Sequence, residues 1–226
     1  MISDAWVPLL LTLKVAGIAT LINIFLGVAI AFFFSRKDFW GKEFFDAFLT
    51  LPMVMPPTVL GYYLLVLLGR NGPVGHFLLE NFNINLIFTW QGAVIAASIV
   101  SFPLVFKGAR AAFESIELQY EQAAQVLSVS NTAIFFRVTL PLAWRGILAG
   151  ALLAFARSAG EFGATLMVAG SIPGKTQTLS IAVFEAVQAG QDDIANFLVL
   201  LTSVVCITVL LVAGRLAPGR VIVRSS

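Results

Sequence analysis

Four long stretches of this chain carry no charge: 15–35, 47–69, 81–106 and 194–214. Each is long enough to cross a lipid bilayer as a helix, which takes about 20 apolar residues. The third opens on Asn81, Asn83 and Asn85, so its apolar part begins near Leu86. A fifth stretch follows Arg145 and runs to about Val168, interrupted by Arg157 and Glu161. It is too long and too apolar for a surface helix. The pattern predicts an all-α polytopic membrane protein with about five transmembrane helices. They fall at about 12–35, 47–69, 86–106, 142–168 and 194–214, in one transmembrane domain covering 1–226.

Composition agrees. The chain has 226 residues, 59% hydrophobic and 12% charged, about half the charge of a soluble domain. That excludes disorder and argues against a soluble enzyme. A net charge of +2 gives no reason to expect nucleic acid as a partner. Cys206 is the sole cysteine, so neither an internal disulfide nor a cysteine-cluster metal site is expected. His76 is the sole histidine, and no nucleophile–base set or pair of catalytic carboxylates stands out. The sequence therefore predicts no enzyme activity, and no metal or other cofactor bound by this chain. The first basic residue is Lys14, and the span after it is longer than the apolar core of a signal peptide. Residues 2–13, with Asp4, Trp6 and Pro8, read as an interfacial lead-in that is not cleaved.

Basic residues orient a membrane protein, because cytoplasmic loops collect lysine and arginine. With the N-terminus outside, Arg36, Lys37, Lys42, Lys107, Arg110, Arg137, Arg145, Arg215, Arg220 and Arg224 all fall inside. Arg70 and Lys175 then lie outside, and Lys14 and Arg157 within apolar segments. The opposite orientation inverts the ratio. The expectation is N-terminus out and C-terminus in.

The long inside segment, 107–141, is patterned as helices. Ile116, Tyr120, Ala123 or Ala124, and Leu127 recur at helical spacing. Ser128-Val129-Ser130-Asn131 reads as a break containing good helix N-caps. A second short helix, Thr132 to about Val138, then leads into Leu140-Pro141, where proline suits the first turn of the next span. The segment is either a solvated connector or a docking surface for a cytosolic partner.

Two sets of residues point to a pathway. Pro52, Pro56 and Pro57, with Thr58 beside them, cannot all sit in an undisturbed helix, since each proline removes a backbone hydrogen bond. A broken element is expected there, facing the interior either as a pathway-lining gate or as a structural kink, and Pro103 can share the constriction. Arg157 and Glu161 lie four residues apart, where their side chains meet on one helix face. Ionisable groups at membrane depth usually face a bundle interior. Arg157 then supplies positive potential to an anion route and Glu161 orients it; the alternative is a self-neutralising structural pair. On the neighbouring stripe Gly146, Gly150, Ala154 and Ser158 predict close helix packing. The stretch 169–176, AGSIPGKT, imitates a phosphate-binding loop but follows a span rather than a strand, and reads as a turn at Pro173-Gly174.

The inside segment also resembles the signature of binding-protein-dependent ABC importer permeases: Glu-Ala-Ala, a glycine after three residues, then Ile-x-Leu-Pro. By spacing, Gln122 takes the glutamate position, Ala123 and Ala124 match, Ser128 stands for the glycine and Val138 for the isoleucine. Leu140-Pro141 match outright, and Glu121 immediately precedes the motif. The stretches 51–65 (LPMVMPPTVLGYYLL) and 155–185 (FARSAGEFGATLMVAGSIPGKTQTLSIAVFE) are similar to the molybdate permeases of that superfamily, and the second more loosely to sulfate permeases.

The resemblance implies an inner-membrane permease working as a homodimer, with two cytosolic ATP-binding subunits that use ATP. They would dock on Glu121, Gln122, Ala123, Ala124, Ser128, Leu140 and Pro141. An extracytoplasmic binding protein would deliver molybdate or tungstate at the outer loops 70–86 and 169–193, with lipid surrounding the spans. A sulfate permease and a stand-alone secondary anion carrier are the alternatives.

Overall fold

The computed structural model describes residues 2–216, without the side chains of residues 2–4, 213 and 216. Arg220 and Arg224, two of the expected inside charges, lie outside the described residues, as does the side chain of Asp4. Eleven helices are described: α1 (Ile2–Arg36), α2 (Lys42–Val54), α3 (Pro57–Leu68), α4 (Pro73–Phe82), α5 (Trp90–Glu114), α6 (Leu118–Val126), α7 (Asn131–Ile134), α8 (Leu140–Ala159), α9 (Gly163–Ala169), α10 (Leu179–Gln188) and α11 (Asp192–Leu216). A π-helical turn, Phe135–Thr139, joins α7 to α8.

Among the described residues, four continuous helical segments are long and apolar enough to span a membrane: most of α1, α5, the run Asn131–Ala159, and most of α11. A fifth span requires counting α2 and α3 together, although they meet at 110°. The chain is thus a multi-pass membrane protein, but its second apolar stretch is a sharp elbow rather than one helix. The reason is local. Pro56 and Pro57 both lack an amide hydrogen, so α2 stops with Met55 in an extended conformation and α3 restarts with proline in its first turn.

α5 sits at the centre, packed between α1 and α8. Gly108 on α5 lies so close to α8 that a Cβ there would stand 3.1 Å from the Gly150 Cα. One on Gly146 would stand 2.6 Å from the Ala112 Cβ. The small-residue stripe therefore does what its spacing predicts. Around this seam Val28, Phe34, Val105, Phe106, Phe113, Ile147 and Ala154 form the main apolar cluster.

Several boundaries depart from expectation. α1 has no separate lead-in: it is helical from Ile2 through Pro8 to Arg36. Lys14, inside it, rests 3.7 Å from the Trp90 ring centre, a cation–π contact that accommodates its charge. α5 continues past Phe106 to Glu114. Lys107, Arg110 and Glu114 end the apolar run but not the helix, because they share one face and find partners there. Asp46 of α2 accepts from both Lys107 and Arg110, and Glu114 accepts from Arg110 at 2.7 Å. Nor is there a separate helix at 132–138. Helix runs on from Asn131 through the π turn to Ala159. Pro141 lacks the amide that would bond the Arg137 carbonyl, and the turn preceding it widens.

The loops expected at 70–86 and 169–193 contain helices. α4 begins on Pro73, and α10 buries Leu179, Ile181, Ala182 and Ala186. Both are shorter than a span, so span-length windows pass over them. The AGSIPGKT stretch forms a turn, with the amides of Lys175 and Thr176 each donating to the Ile172 carbonyl at 3.0 Å.

Candidate functional site

The two motifs expected to line a pathway meet at their breaks. α8 stops at Ala159 and α9 starts at Gly163, so the apolar stretch 142–168 is also broken, at Gly160-Glu161-Phe162. Glu161 splices the break. Its buried carboxylate accepts from Arg157 Nη1 at 2.6 Å and from the Ala164 amide at 2.9 Å. One carboxylate thus satisfies a cation of the helix that ends and an orphan amide of the helix that begins.

Opposite this break lies the α2–α3 elbow. A Cβ on Gly163 would come within 2.9 Å of the Pro57 Cβ and 3.4 Å of the Thr58 amide nitrogen. One turn on, a Cβ on Gly61 would come within 2.9 Å of the Ala164 Cα. Glycines on both sides therefore let α3 and α9 approach at backbone distance. Leu60, Leu64, Ala164 and Val168 bury the flank of this contact, while Pro56, Pro57 and Thr58 remain exposed and Pro52 is half-buried within α2. Irregular backbone at membrane depth is tolerated where it is packed by protein or lines a cavity.

The Arg157 side chain is 38% exposed, whereas that of Glu161 is 1% exposed. The ion pair weakens the positive field of Arg157 but leaves its other donors accessible. A groove between α5 and α8 runs beside this helix, lined by Met53, Pro103, Lys107, Arg145 and Leu153. Pro103 is fully buried, and α5 remains helical through it.

At the end of the molecule rich in Arg36, Lys107, Arg110 and Arg145 lies α6. None of its residues is buried. Gln122 and Ala123 face outward, Ala124 is half-buried, and Val126 and Leu127 are 84% and 78% exposed. Large apolar side chains thus stand bare on and just after a short helix at the charged end of the molecule. Glu121 turns the other way. Its Oε1 accepts from Arg36 Nη2 at 2.6 Å and from Thr139 Oγ1 at 2.8 Å. Half-buried Leu140 and exposed Pro141 open α8 nearby.

Ser128 ends α6 with φ +58°. Its amide donates to Gln125 and that of Val129 to Ala124, the Schellman pattern, in which glycine usually occupies the left-handed position. The signature glycine of the resembled family thus has a backbone reason, and serine here is strained. Ser128→Gly should stabilise α6 by about 1 kcal/mol. Amide hydrogen exchange of residues 122–127 is expected to slow several-fold; unchanged exchange would count against the strain. Ser130 caps the next helix as its residue type predicts, accepting from the Ala133 amide.

Four residues of this architecture escape the sequence reading as site residues: Asn23, Arg36, Asp46 and Thr139. Asn23, buried inside an apolar run, donates to the Ser98 carbonyl at 2.9 Å and to Ser101 Oγ at 2.8 Å; Ser158 Oγ donates to Ser101 Oγ at 2.8 Å. This polar node ties α1, α5 and α8 at mid-span. A lone asparagine among isoleucines was the available signal.

Comparison with known proteins agrees with the architecture. Residues 23–221 match the family described as binding-protein-dependent transport system inner membrane component. The molybdenum transport system permease protein ModB of Escherichia coli K12 is 41% identical over 208 residues, covering 91% of each chain. The sulfate transport system permease protein CysW of Synechococcus elongatus is 38% identical over 206 residues, covering 91% of this chain and 72% of its own. Among solved structures, a bacterial ABC transporter involved in import of alginate superposes with TM-score 0.72 at 16% identity, over 92% of this chain and 77% of that one. The chain belongs to the family of binding-protein-dependent transport system inner membrane components.

Proposed function

We propose that this chain is the permease subunit of an ATP-driven importer that moves molybdate, or tungstate, into the cytoplasm. The observation that carries the proposal is the meeting of two broken spans at Gly163 and Pro57, with a partner-ready helix, α6, at the basic end. Two permease copies form the pore, one ATP-binding subunit docks on each α6, and an extracytoplasmic protein delivers the anion to the far side. The basic end then faces the cytoplasm, with the N-terminus outside and the C-terminus inside. ATP is held and hydrolysed by the partner; this chain supplies the route and its gate. Closure of the ATPase dimer pushes α6 and alternates access at the elbow. Partial exposure and pairing of Arg157 favour passage over tight capture.

The choice of molybdate rests on the 51–65 and 155–185 motifs and on the end-to-end match with the molybdenum permease. Sulfate is the second reading, since a sulfate permease matches the same share of this chain. Both ions are tetrahedral dianions, so competition decides. In vesicles carrying the permease, its ATP-binding subunit and its binding protein, equimolar tungstate should roughly halve labelled molybdate uptake. A hundredfold excess of sulfate should leave most of it. Displacement by equimolar sulfate would reassign the substrate, and no ATPase co-purifying from native membranes would favour a stand-alone carrier.

A further inference from the structure

α6 is fastened by charge rather than by apolar burial. No residue of the helix is buried, and it joins its neighbours through the short segments 115–117 and 127–130. The Glu121 carboxylate bridges it to the membrane body. Arg36, the last residue of α1, donates Nη2 to Glu121 and Nη1 to the Phe113 carbonyl near the end of α5, at 2.6 and 3.3 Å. Thr139, the last residue of the π turn, donates its hydroxyl to the same carboxylate oxygen. Beneath them Phe32, Phe113 and Phe135 pack edge to face or tilted, with ring centres 4.6–6.3 Å apart. The ends of α1 and α5 and the π turn that leads into α8 therefore come together as one platform, and the Glu121 carboxylate ties α6 to it.

We propose that Glu121 is a positioning residue for coupling: it latches α6 to this platform. Displacement imposed on α6 then moves α1, α5 and α8 together, where the flanking segments would otherwise absorb it. Glu121 immediately precedes the signature position, which Gln122 occupies facing outward. The two neighbours thus divide the work, one gripping the membrane body and the other meeting the ATPase. The inference rests on the importer reading above and assigns it a specific linkage.

The test uses the assembled complex in vesicles, measuring ATP hydrolysis and oxyanion uptake together. Glu121→Gln should keep ATP hydrolysis within about threefold of wild type while uptake per ATP falls at least tenfold. Arg36→Glu should do the same, and the swap Arg36→Glu/Glu121→Arg should restore at least half of the coupling. Unchanged uptake per ATP in Glu121→Gln overturns the latch. If the single variants fail to assemble, the swap decides: restored assembly and restored coupling together support the latch, and anything less overturns it.

A second readout does not depend on the transported ion. Spin labels at exposed positions 37 and 125, in a Cys206→Ser background, should give a narrow distance distribution that broadens in Glu121→Gln and narrows again in the swap. An unbroadened distribution also overturns the proposal. A wild-type complex that hydrolyses ATP yet imports no oxyanion would sink the importer reading instead, leaving the spin-label result to judge the latch alone.

Discussion

Gly163→Val is expected to abolish transport, with uptake falling at least a hundredfold while the ATP-binding subunits still co-purify. Even the first added carbon would stand 2.9 Å from the Pro57 Cβ, closer than such atoms approach in folded proteins, and the valine methyls extend further. The obstacle is a proline-stiffened elbow with no flexible side-chain end that can swing aside. Forcing two elements apart in a packed region costs about 1–3 kcal/mol, which a bundle built on the α5–α8 seam tolerates. The damage is confined to the place where the two broken spans meet. Uptake above half the wild-type rate would show that this junction need not stay close-packed for transport. Thermal unfolding of the detergent-solubilised complex, within a few degrees of wild type, separates a blocked route from a misfolded chain.

The second large effect is expected at the opposite end of the mechanism. Ala123→Arg combined with Ala124→Glu should remove the ATP-binding subunits from the purified complex and reduce uptake by at least a hundredfold. Both new residues are good helix formers, so α6 itself persists. What changes is its outer surface: Ala123 is exposed and Ala124 half-buried, close in sequence to the bare side chains of Val126 and Leu127. Bulky charges on a face built for close approach leave groups that a partner cannot pair or solvate. A complex that still couples ATP hydrolysis normally to uptake would remove α6 from the docking interface.

Much of this fold is legible in the sequence because lipid imposes a coarse rule. Charge-free runs of span length predict α1, α5 and α11, and the elbow follows from the missing amides of Pro56 and Pro57. Gly146 and Gly150 announce close packing of α8 by spacing alone, though not that α5 is the helix it packs against. Other features need coordinates. Arg36 and Glu121 are 85 positions apart; the family resemblance marks Glu121 for docking, but nothing in the sequence ties it to Arg36. Asp46 stands just before the apolar second stretch in sequence yet fastens α2 to the last turns of α5 in space. α4 and α10 are short enough to pass for loops, and Glu161 looks like a partner for Arg157 until its bond to the Ala164 amide shows a second duty. Long-range polar pairs leave no periodic trace, whereas burial in lipid does.

The length of α1 has a mechanical consequence. Thirty-five residues make a rod of about 52 Å at 1.5 Å per residue, far longer than the roughly 30 Å of hydrocarbon it must cross. It is held in both halves. Thr12 Oγ1 accepts from the Leu179 amide of α10 at 2.8 Å, and Arg36 grips Glu121 of α6. A tilt begun at one membrane surface therefore arrives at the other through a single stiff body, without relay through loops. The pivot of this rod is thus one direct route by which each face of the protein senses the state of the other.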